Sequence, residues 1–440
     1  MTAEAKPAAG PLAGTATSTP GAVTSTPGAV TSPPGAVTST PGAAGPRVGL
    51  RVLDISNVIA GPFAAGMLGD FGAEVLKIEL PGIGDALRAL PPHKAGKPLI
   101  WKVTNRNKKA ITLDLRKPEG CALFKRLLGR FDVLIENYRP GTLDKWGLDK
   151  GTLWGIAPQL TILRLTGFGQ TGPYSSFPGF ARLFEAYSGL TYITGERDGP
   201  PLHPGYPIGD PIAGVFGAFG VLAALVHRLK HPDSPGQEID LSATEAMLRL
   251  LEVLPIEYDQ LGQVHERIGN DNAYVAPANI LPTGDGHWVT FTCATQSIFE
   301  RFAELIGRPE LLADPRFARN AARVQNRAEM NAIAAQWVAA LPLAEVLTKL
   351  NAAGVSVAPI YSNRQIVEDQ HFIERGAIVE VADADFGSVK MPGVVPRLSA
   401  TPGAIGWSGP ALGAHNDEVY GGWLGLAREE QDRLRGLGVI

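Results

Sequence analysis

The chain is poor in the residues that build disulfide frameworks and metal sites. Its 440 residues contain two cysteines, Cys121 and Cys293, and eight histidines. Two cysteines in so long a chain do not make a disulfide framework, and no CxxC pair or His/Cys cluster indicates a metal site. We therefore expect a protein of the reducing cytoplasm that holds no structural metal.

Several familiar signals are also missing, and each absence disfavours a class of protein. No GxGxxG follows the first predicted strand and no GxSxG is present, which disfavours a dinucleotide enzyme and an α/β-hydrolase. The net charge of −3 gives no reason to expect a nucleic acid or an anionic membrane as partner. The longest apolar stretch, Ile212 to Val226, is short for a bilayer span and predicts a buried helix.

The first 46 residues differ in composition from the rest of the chain. A seven-residue unit, TSTPGAV, begins at Thr17 and recurs with small changes from Thr24, Thr31 and Thr38. Segments so rich in Pro, Gly, Ser and Thr bury too little apolar surface to offset their chain entropy. Residues 1–46 are therefore predicted to be a disordered tail, with a tether or partner motif as the alternative.

From Gly49 onward, short β-rich runs alternate with helical stretches. This alternation predicts right-handed βαβ crossovers and a parallel sheet. We predict an α/β fold with a large doubly wound parallel-sheet domain, residues 47–245 plus 375–440, and a smaller α+β domain, residues 270–370. The segment 211–261 is predicted to be rich in helix. The predicted strands of the large domain are Arg51–Ser56, Glu74–Glu79, Ile111–Leu115, Val133–Asn137 and Leu160–Thr166.

One carboxylate has an unusual setting. Asp210 stands between Gly209 and Pro211, directly before the apolar helix. A helix N-terminus presents oriented N–H groups and favours negative charge, so it would keep this carboxylate ionised and aimed. From the residues alone, Asp210 is either the N-cap of that helix, which is the commoner role, or a nucleophile.

Basic residues cluster around the third and fourth predicted strands. Such a cluster is either an anion-binding site or a solvated basic surface. Its members are Arg106, Lys108, Lys109, Arg116, Arg139 and Lys145.

Six stretches in order along the chain make it resemble the family III CoA-transferases of the CaiB/BaiF type. The resemblance runs from about Gly49 to the C-terminus and implies exchange of CoA between an acyl-CoA and a free carboxylic acid. It also implies that Asp210 attacks the thioester to form an anhydride and then an aspartyl-CoA thioester. Succinyl-CoA is the expected donor, and the expected assembly is an interlocked homodimer or a heteromer with a paralogue. The stretches are RVLDISNVIAGPFAAGMLGDFGAEVLKIELPGIGD (51–85), NRNKKAITLDLRKPEG (105–120), ENYRPGTLDKWGL (136–148), GYPIGDPIAG (205–214), GQEIDLSATEA (236–246) and LGAHNDEV (412–419).

The resemblance also assigns contacts to CoA, which is a substrate here, so no bound cofactor is expected. Arg116 and Lys145 match basic positions near the CoA phosphates, and Asn137 and Tyr138 match positions beside its pantetheine and adenine. Arg106 is added from the basic cluster. The predicted CoA-binding residues are Val58, Ile59, Arg106, Leu113, Arg116, Asn137, Tyr138 and Lys145.

A few positions depart from the family pattern and leave two alternatives open. Phe180 and Ala181 stand where racemases of the family have His-Asp and formyl-CoA transferases have Tyr-Glu. Neither side chain can move a proton, which disfavours an acyl-CoA racemase or isomerase. Leu80 replaces a frequent CoA-contacting Arg, so a non-catalytic subunit is the other alternative. Nearby, Glu185 is predicted to lie on a helix surface, with a supporting acid beside the site as the alternative. No carboxylate stands at a fixed spacing from His203, which favours an ordinary surface or core histidine over an acid/base group.

Overall fold

The structure is a computed structural model that describes residues 49–440. The predicted tail, residues 1–46, lies outside the described residues. The strands are β1 (Arg51–Asp54), β2 (Glu74–Glu79), β3 (His93–Lys94), β4 (Lys97–Pro98), β5 (Lys108–Thr112), β6 (Val133–Glu136), β7 (Thr161–Thr166), β8 (Glu238–Ser242), β9 (Ala278–Pro282), β10 (Trp288–Thr292), β11 (Ser356–Pro359), β12 (Ile378–Asp383) and β13 (Gly387–Pro392).

Helices separate most of these strands, as the alternating pattern predicts. Short 3₁₀ turns span Ala86–Ala89 and Pro309–Leu312, and a π-helical segment spans Asp417–Trp423. The α-helices are α1 (Ala60–Asp70), α2 (Leu99–Thr104), α3 (Pro118–Leu128), α4 (Thr142–Lys145), α5 (Lys150–Ile156), α6 (Ala181–Tyr187), α7 (Leu190–Ile193), α8 (Gly209–Lys230), α9 (Ala243–Leu250), α10 (Val253–Leu261), α11 (Gln296–Leu305), α12 (Asn320–Gln325), α13 (Arg327–Ala339), α14 (Leu343–Ala352), α15 (Asn363–Glu368), α16 (Gln370–Glu374) and α17 (Arg428–Gly436).

The central sheet is parallel and has the order β5-β2-β1-β6-β7-β8. The chain builds one half outward from β1 and then returns to build the other half from β6, which confirms the predicted doubly wound α/β fold. Strand β8 lies inside the segment predicted to be rich in helix. Four of its five residues are partly or fully exposed, as is typical of an edge strand, and its sequence has no continuous apolar run.

Helices cover both faces of the central sheet. Neighbouring residues of a strand point to opposite faces, so each strand contributes side chains to two cores. Val52 packs with α1 and α8 on one face, in a cluster that includes Leu68 and Val221. Leu53 packs on the other face, in a cluster that includes Phe124 of α3 and Leu434 of α17. Burial on both sides explains the runs of consecutive apolar residues in these strands, such as VLI in β6.

Helix α8 is longer than the sequence suggests. It spans 22 residues and is long and apolar enough to cross a membrane, a property that core helices of soluble proteins share. One face, which includes Ala213 and Val221, is buried against α1 and the sheet. The opposite face exposes Phe219 and Leu229, which are 67% and 80% accessible. The sequence predicts a buried helix, and within the described chain α8 is buried along one of its faces and exposed along the other.

A second core forms between residues 281 and 355. It packs the antiparallel sheet β11-β10-β9 against α11, α13 and α14, with Phe299, Phe302 and Met330 fully buried. The C-terminal residues return to the large sheet, where the Asp114 N–H donates to the Val439 carbonyl at 2.8 Å. The domain boundaries given above stay predictions.

Candidate active site

The direction of sheet building changes between β1 and β6. Loops 55–59 and 137–140 leave the carboxyl ends of these neighbouring parallel strands and meet above the sheet. In open α/β sheets ligands bind at such a point, in the crevice outside the carboxyl ends of the strands where the strand order reverses. The switch point therefore marks the place to look for a site.

A reciprocal amide pair joins the two loops. The Asn57 N–H donates to Asn137 Oδ1 at 2.7 Å, and Asn137 Nδ2 donates to the Asn57 carbonyl at 2.8 Å. The next residue, Val58, has φ of 68°, a conformation that a β-branched residue rarely adopts. Its N–H is held by Asp85 Oδ1 at 2.9 Å. The loop is thus fixed in a strained shape, as is common at functional sites.

A buried ionic cluster supports this loop from below. Asp54 Oδ2 lies 2.9 Å from Lys108 Nζ, and Asp85 Oδ2 lies 2.9 Å from Lys77 Nζ. Lys77 also donates to the Ser56 carbonyl. Lys108 is fully buried, so it belongs neither to an anion-binding site nor to a solvated surface, and its place in the predicted basic cluster is wrong.

A cavity of about 310 Å³ opens at the switch point. Its walls are the loops after β1, β6 and β7 and the first turn of α8. Asp210 is the acidic residue of this lining, and no histidine of the described chain joins it. Phe180 also lines the cavity, so the position used for proton transfer in racemases is occupied by an apolar ring.

Asp210 is the second residue of α8, and it does not cap the helix. The helix begins at Gly209 with Ile208 as its N-cap and without a side-chain cap bond, so the N-cap interpretation of Asp210 is wrong. Gly209 is required because a Cβ there would lie 2.8 Å from the Ala181 carbonyl oxygen. Burial, with the nearby Glu185 carboxylate, raises the pKa of Asp210 to about 6. At neutral pH Asp210 is therefore an ionised, half-buried carboxylate facing open space.

A second cavity of about 360 Å³ adjoins the first. Both are lined by Asn57 and Tyr138, and the Tyr138 ring is packed edge-on against Trp146 at 5.1 Å. The second cavity is also lined by Leu113 and Arg116. We call these two cavities together the groove: Asp210 and Arg139 line its first part, and Arg116, beside Glu79 and Asp114, lines its second part.

Comparisons with known proteins identify the family of this chain. The family model for CoA-transferase family III matches residues 48–416. This chain belongs to CoA-transferase family III.

Named relatives of this family III transferase share most of its length. It is 44% identical over 392 residues to the succinyl-CoA–D-citramalate CoA-transferase of Chloroflexus aurantiacus, covering 89% of this chain and 97% of that protein. It is 42% identical over 399 residues to the succinyl-CoA–L-malate CoA-transferase beta subunit of the same organism, covering 90% and 98%. The predicted family and the predicted enzyme class, a CoA-transferase, are confirmed.

A solved structure has the same fold. The CaiB/BaiF family protein from Brucella suis aligns with a TM-score of 0.76 and 31% identity, covering 86% of this chain and 99% of that chain. The α/β architecture of this family III transferase is therefore one already observed in its family.

The groove collects most, but not all, of the predicted site residues. Asp210, Val58, Ile59 and Asn137 line the first cavity. Leu113 and Arg116 line the second, and Tyr138 lines both.

Two predicted CoA contacts lie outside both linings. Arg106 Nη2 is 2.6 Å from Asp70 Oδ2, and Arg106 Nη1 donates to the Pro392 carbonyl at 2.7 Å. Lys145 is exposed at the end of α4. Contacts from either residue to CoA stay predictions.

Two residues beside the site differ from their sequence-based interpretation. Glu185 is fully buried, so its assignment to a helix surface is wrong. Its Oε2 lies 3.1 Å from His203 Nδ1, so His203 does have a carboxylate partner. They are 18 residues apart, too far for a spacing rule to pair them, and sequence reasoning therefore missed the pair.

Proposed function

We propose that this family III transferase moves CoA from succinyl-CoA to a small dicarboxylic acid, with Asp210 as the nucleophile. The observation that carries the proposal is the Asp210 carboxylate, which lines the cavity at the switch point with no hydrogen-bond or ion-pair partner among residues 49–440. The choice of donor and acceptor is supported by relatives named for succinyl-CoA with D-citramalate or L-malate.

The proposed reaction consists of four displacements that balance without net proton transfer. An Asp210 carboxylate oxygen attacks the thioester carbonyl carbon, the C–S bond breaks, and CoA leaves as thiolate. The thiolate attacks the aspartyl carbon of the resulting anhydride, which releases succinate and leaves an aspartyl-CoA thioester. The acceptor carboxylate then displaces CoA to form a second anhydride, and the thiolate attacks its acyl carbon and frees Asp210.

The groove suggests how CoA is held. We place the thioester beside Asp210, the pantetheine chain along Asn57 and Tyr138, and the phosphates toward Arg116. Arg116 Nε lies 2.8 Å from Asp114 Oδ1 but its side chain is 59% exposed, which leaves donors for a phosphate. Lys145 and Arg106 are proposed as further contacts from the family pattern alone.

We also propose that the transferase is a cytoplasmic homodimer. The exposed apolar residues on the outer face of α8 favour a protein partner over solvent. Some relatives are named as alpha or beta subunits, so the alternative is a heteromer with a paralogue. Both cysteines are free and buried, which suits a reducing compartment.

Activity should depend on the ionisation of Asp210. Only the carboxylate attacks, and its pKa is raised to about 6, so kcat/KM for succinyl-CoA should be half-maximal near pH 6, level off above about pH 7 and fall about tenfold per unit at lower pH. Initial rates at limiting succinyl-CoA from pH 4.5 to 8 measure this profile, with CoA affinity over the same range as the control. A profile that stays flat down to pH 4.5 would contradict an Asp210 nucleophile with this pKa.

The function can be tested by trapping the intermediate. After incubation with succinyl-CoA, hydroxylamine should convert an aspartyl-CoA thioester into a hydroxamate that peptide mass spectrometry locates at Asp210. A panel of acceptor acids should then show faster exchange with four- to six-carbon dicarboxylates than with monocarboxylates.

Two other results would support the alternatives. Exchange that appears only with a co-expressed paralogue, and no adduct on this chain, would indicate a non-catalytic subunit. Deuterium incorporation at the α-carbon of a 2-methylacyl-CoA without an acceptor acid would indicate a racemase.

A further inference from the structure

Glu185 connects three parts of the chain directly behind the proposed nucleophile. It lies in α6 and is fully buried. Its Oε1 accepts the Gly209 N–H at 3.4 Å, and Gly209 precedes Asp210 in the first turn of α8. Its Oε2 lies 3.1 Å from His203 Nδ1, in the segment that leads to α8. Thr191 of α7 adds a contact from its Oγ1 to the same His203 nitrogen at 3.2 Å.

Buried apolar side chains pack beside this pair. The elements packed around the start of α8 contribute Ala60, Leu165, Phe184, Ala243 and Met247, all buried. The Glu185 and Asp210 carboxylates are thus two like charges in one desolvated corner, with His203 on the side of Glu185. Burial raises the pKa of Asp210 most and the Glu185 carboxylate raises it further, while Arg139 also lines the cavity of Asp210.

We propose that Glu185, oriented by His203, is a positioning residue that fixes the first turn of α8 and favours the acylated form of Asp210 over its free carboxylate. This inference rests on the proposed function of Asp210.

The physical reason is that Asp210 carries a negative charge only in the resting enzyme. As an anhydride or a CoA thioester its side chain is neutral, and the repulsion from Glu185 is relieved. A carboxylate held beside the nucleophile therefore raises the free energy of the resting state relative to the covalent intermediate. The same repulsion governs protonation and acylation, so both equilibria should respond to Glu185 in parallel.

A second Glu-His pair in the described chain provides a matched control. His265 Nδ1 lies 2.9 Å from Glu257 Oε2, so the chemistry is the same as in the Glu185-His203 pair. Glu257 belongs to α10, and neither member of this second pair lines the cavity of Asp210. Glu257→Gln removes the same charge by the same isosteric change and should leave transfer unaltered.

The test compares Glu185→Gln, Glu257→Gln and the unsubstituted full-length enzyme. At a fixed ratio of succinyl-CoA to succinate, Glu185→Gln should lower the ratio of aspartyl-CoA thioester to free enzyme about tenfold, measured by intact-protein mass. The acid limb of its kcat/KM profile should move to lower pH by about one unit. Glu257→Gln should match the unsubstituted enzyme in both measurements.

The possible outcomes separate the two hypotheses. Unchanged thioester ratio and acid limb in a folded Glu185→Gln variant would overturn the role of Glu185 while leaving the Asp210 nucleophile intact. The absence of any Asp210 adduct in the unsubstituted enzyme would overturn the nucleophile and this inference with it.

If Glu185→Gln does not fold, His203→Ala tests the proposal at an exposed position. This variant removes the partner of Glu185 and should lower kcat about three- to tenfold with an unchanged KM for succinyl-CoA. An unchanged kcat would overturn the proposal.

Discussion

Replacing Asp210 with asparagine is expected to lower kcat for CoA transfer by at least about 10³-fold. The amide keeps the shape of the side chain but cannot attack a thioester, so the covalent route is lost rather than slowed. The variant should still bind CoA, because the part of the groove that is lined by Tyr138 and Arg116 is unchanged. Steady-state rates and calorimetric titration with CoA measure the two effects separately.

The same variant should be more stable than the unsubstituted protein. The pKa of Asp210 is about 6 in the fold, against an ordinary value of 3.8 for an aspartate, so the folded state disfavours the ionised form. The penalty is absent below about pH 4, grows between pH 4 and 6, and is complete above pH 6. Asp210→Asn should therefore raise the free energy of unfolding by about 2 to 3 kcal/mol at pH 7 and have little effect at pH 4. Lower stability at pH 7 would mean that the residue has a structural role.

Asp54→Ala is expected to have the largest effect on stability. It leaves Lys108 without its ion-pair partner and Lys77 with Asp85 alone, and all of these side chains are buried. Removing one partner of a buried ion pair typically costs about 3 to 5 kcal/mol. Denaturant unfolding at pH 7 measures the loss, and KM for succinyl-CoA should rise because loop 55–59 loses its support.

Asp432→Ala is the matched control for that change. Asp432 also pairs with a basic residue, Arg435, at 2.7 Å, but its side chain is 58% exposed. Exposed pairs contribute about 0 to 1 kcal/mol, so this variant should unfold within that range of the unsubstituted protein. Equal losses in the two variants would contradict the structural role of the buried cluster.

The sequence predicts the framework of the sheet well and its charged and edge positions poorly. Strand β2 has the predicted bounds, because EVLKIE is apolar enough to be recognised despite Lys77. Strand β5 begins at Lys108, three residues before the predicted start. A lysine followed by another lysine resembles a loop, and the carboxylate that allows its burial, Asp54, is 54 residues away.

The site is predictable to the extent that its residues follow strands. Asn137 and Val58 lie just after β6 and β1, and adjacent parallel strands bring such residues together. What the sequence does not contain is the partner of each polar side chain. Whether Asp210 is a cap or a free carboxylate, and whether Glu185 is buried or exposed, depends on contacts between elements distant along the chain.

Helix α8 joins two surfaces that are far apart. Asp210 lies at its first turn, and Leu229 projects from its outer face 19 residues later, roughly 28 Å away at 1.5 Å of rise per residue. An α-helix packed along one side against a sheet moves as a rigid unit and not as a flexible linker. A label, a ligand or a neighbouring molecule that shifts the C-terminal end of α8 would therefore tilt its first turn and move Asp210 within the cavity. The position of the Asp210 carboxylate in the cavity therefore depends on what binds at the far end of α8.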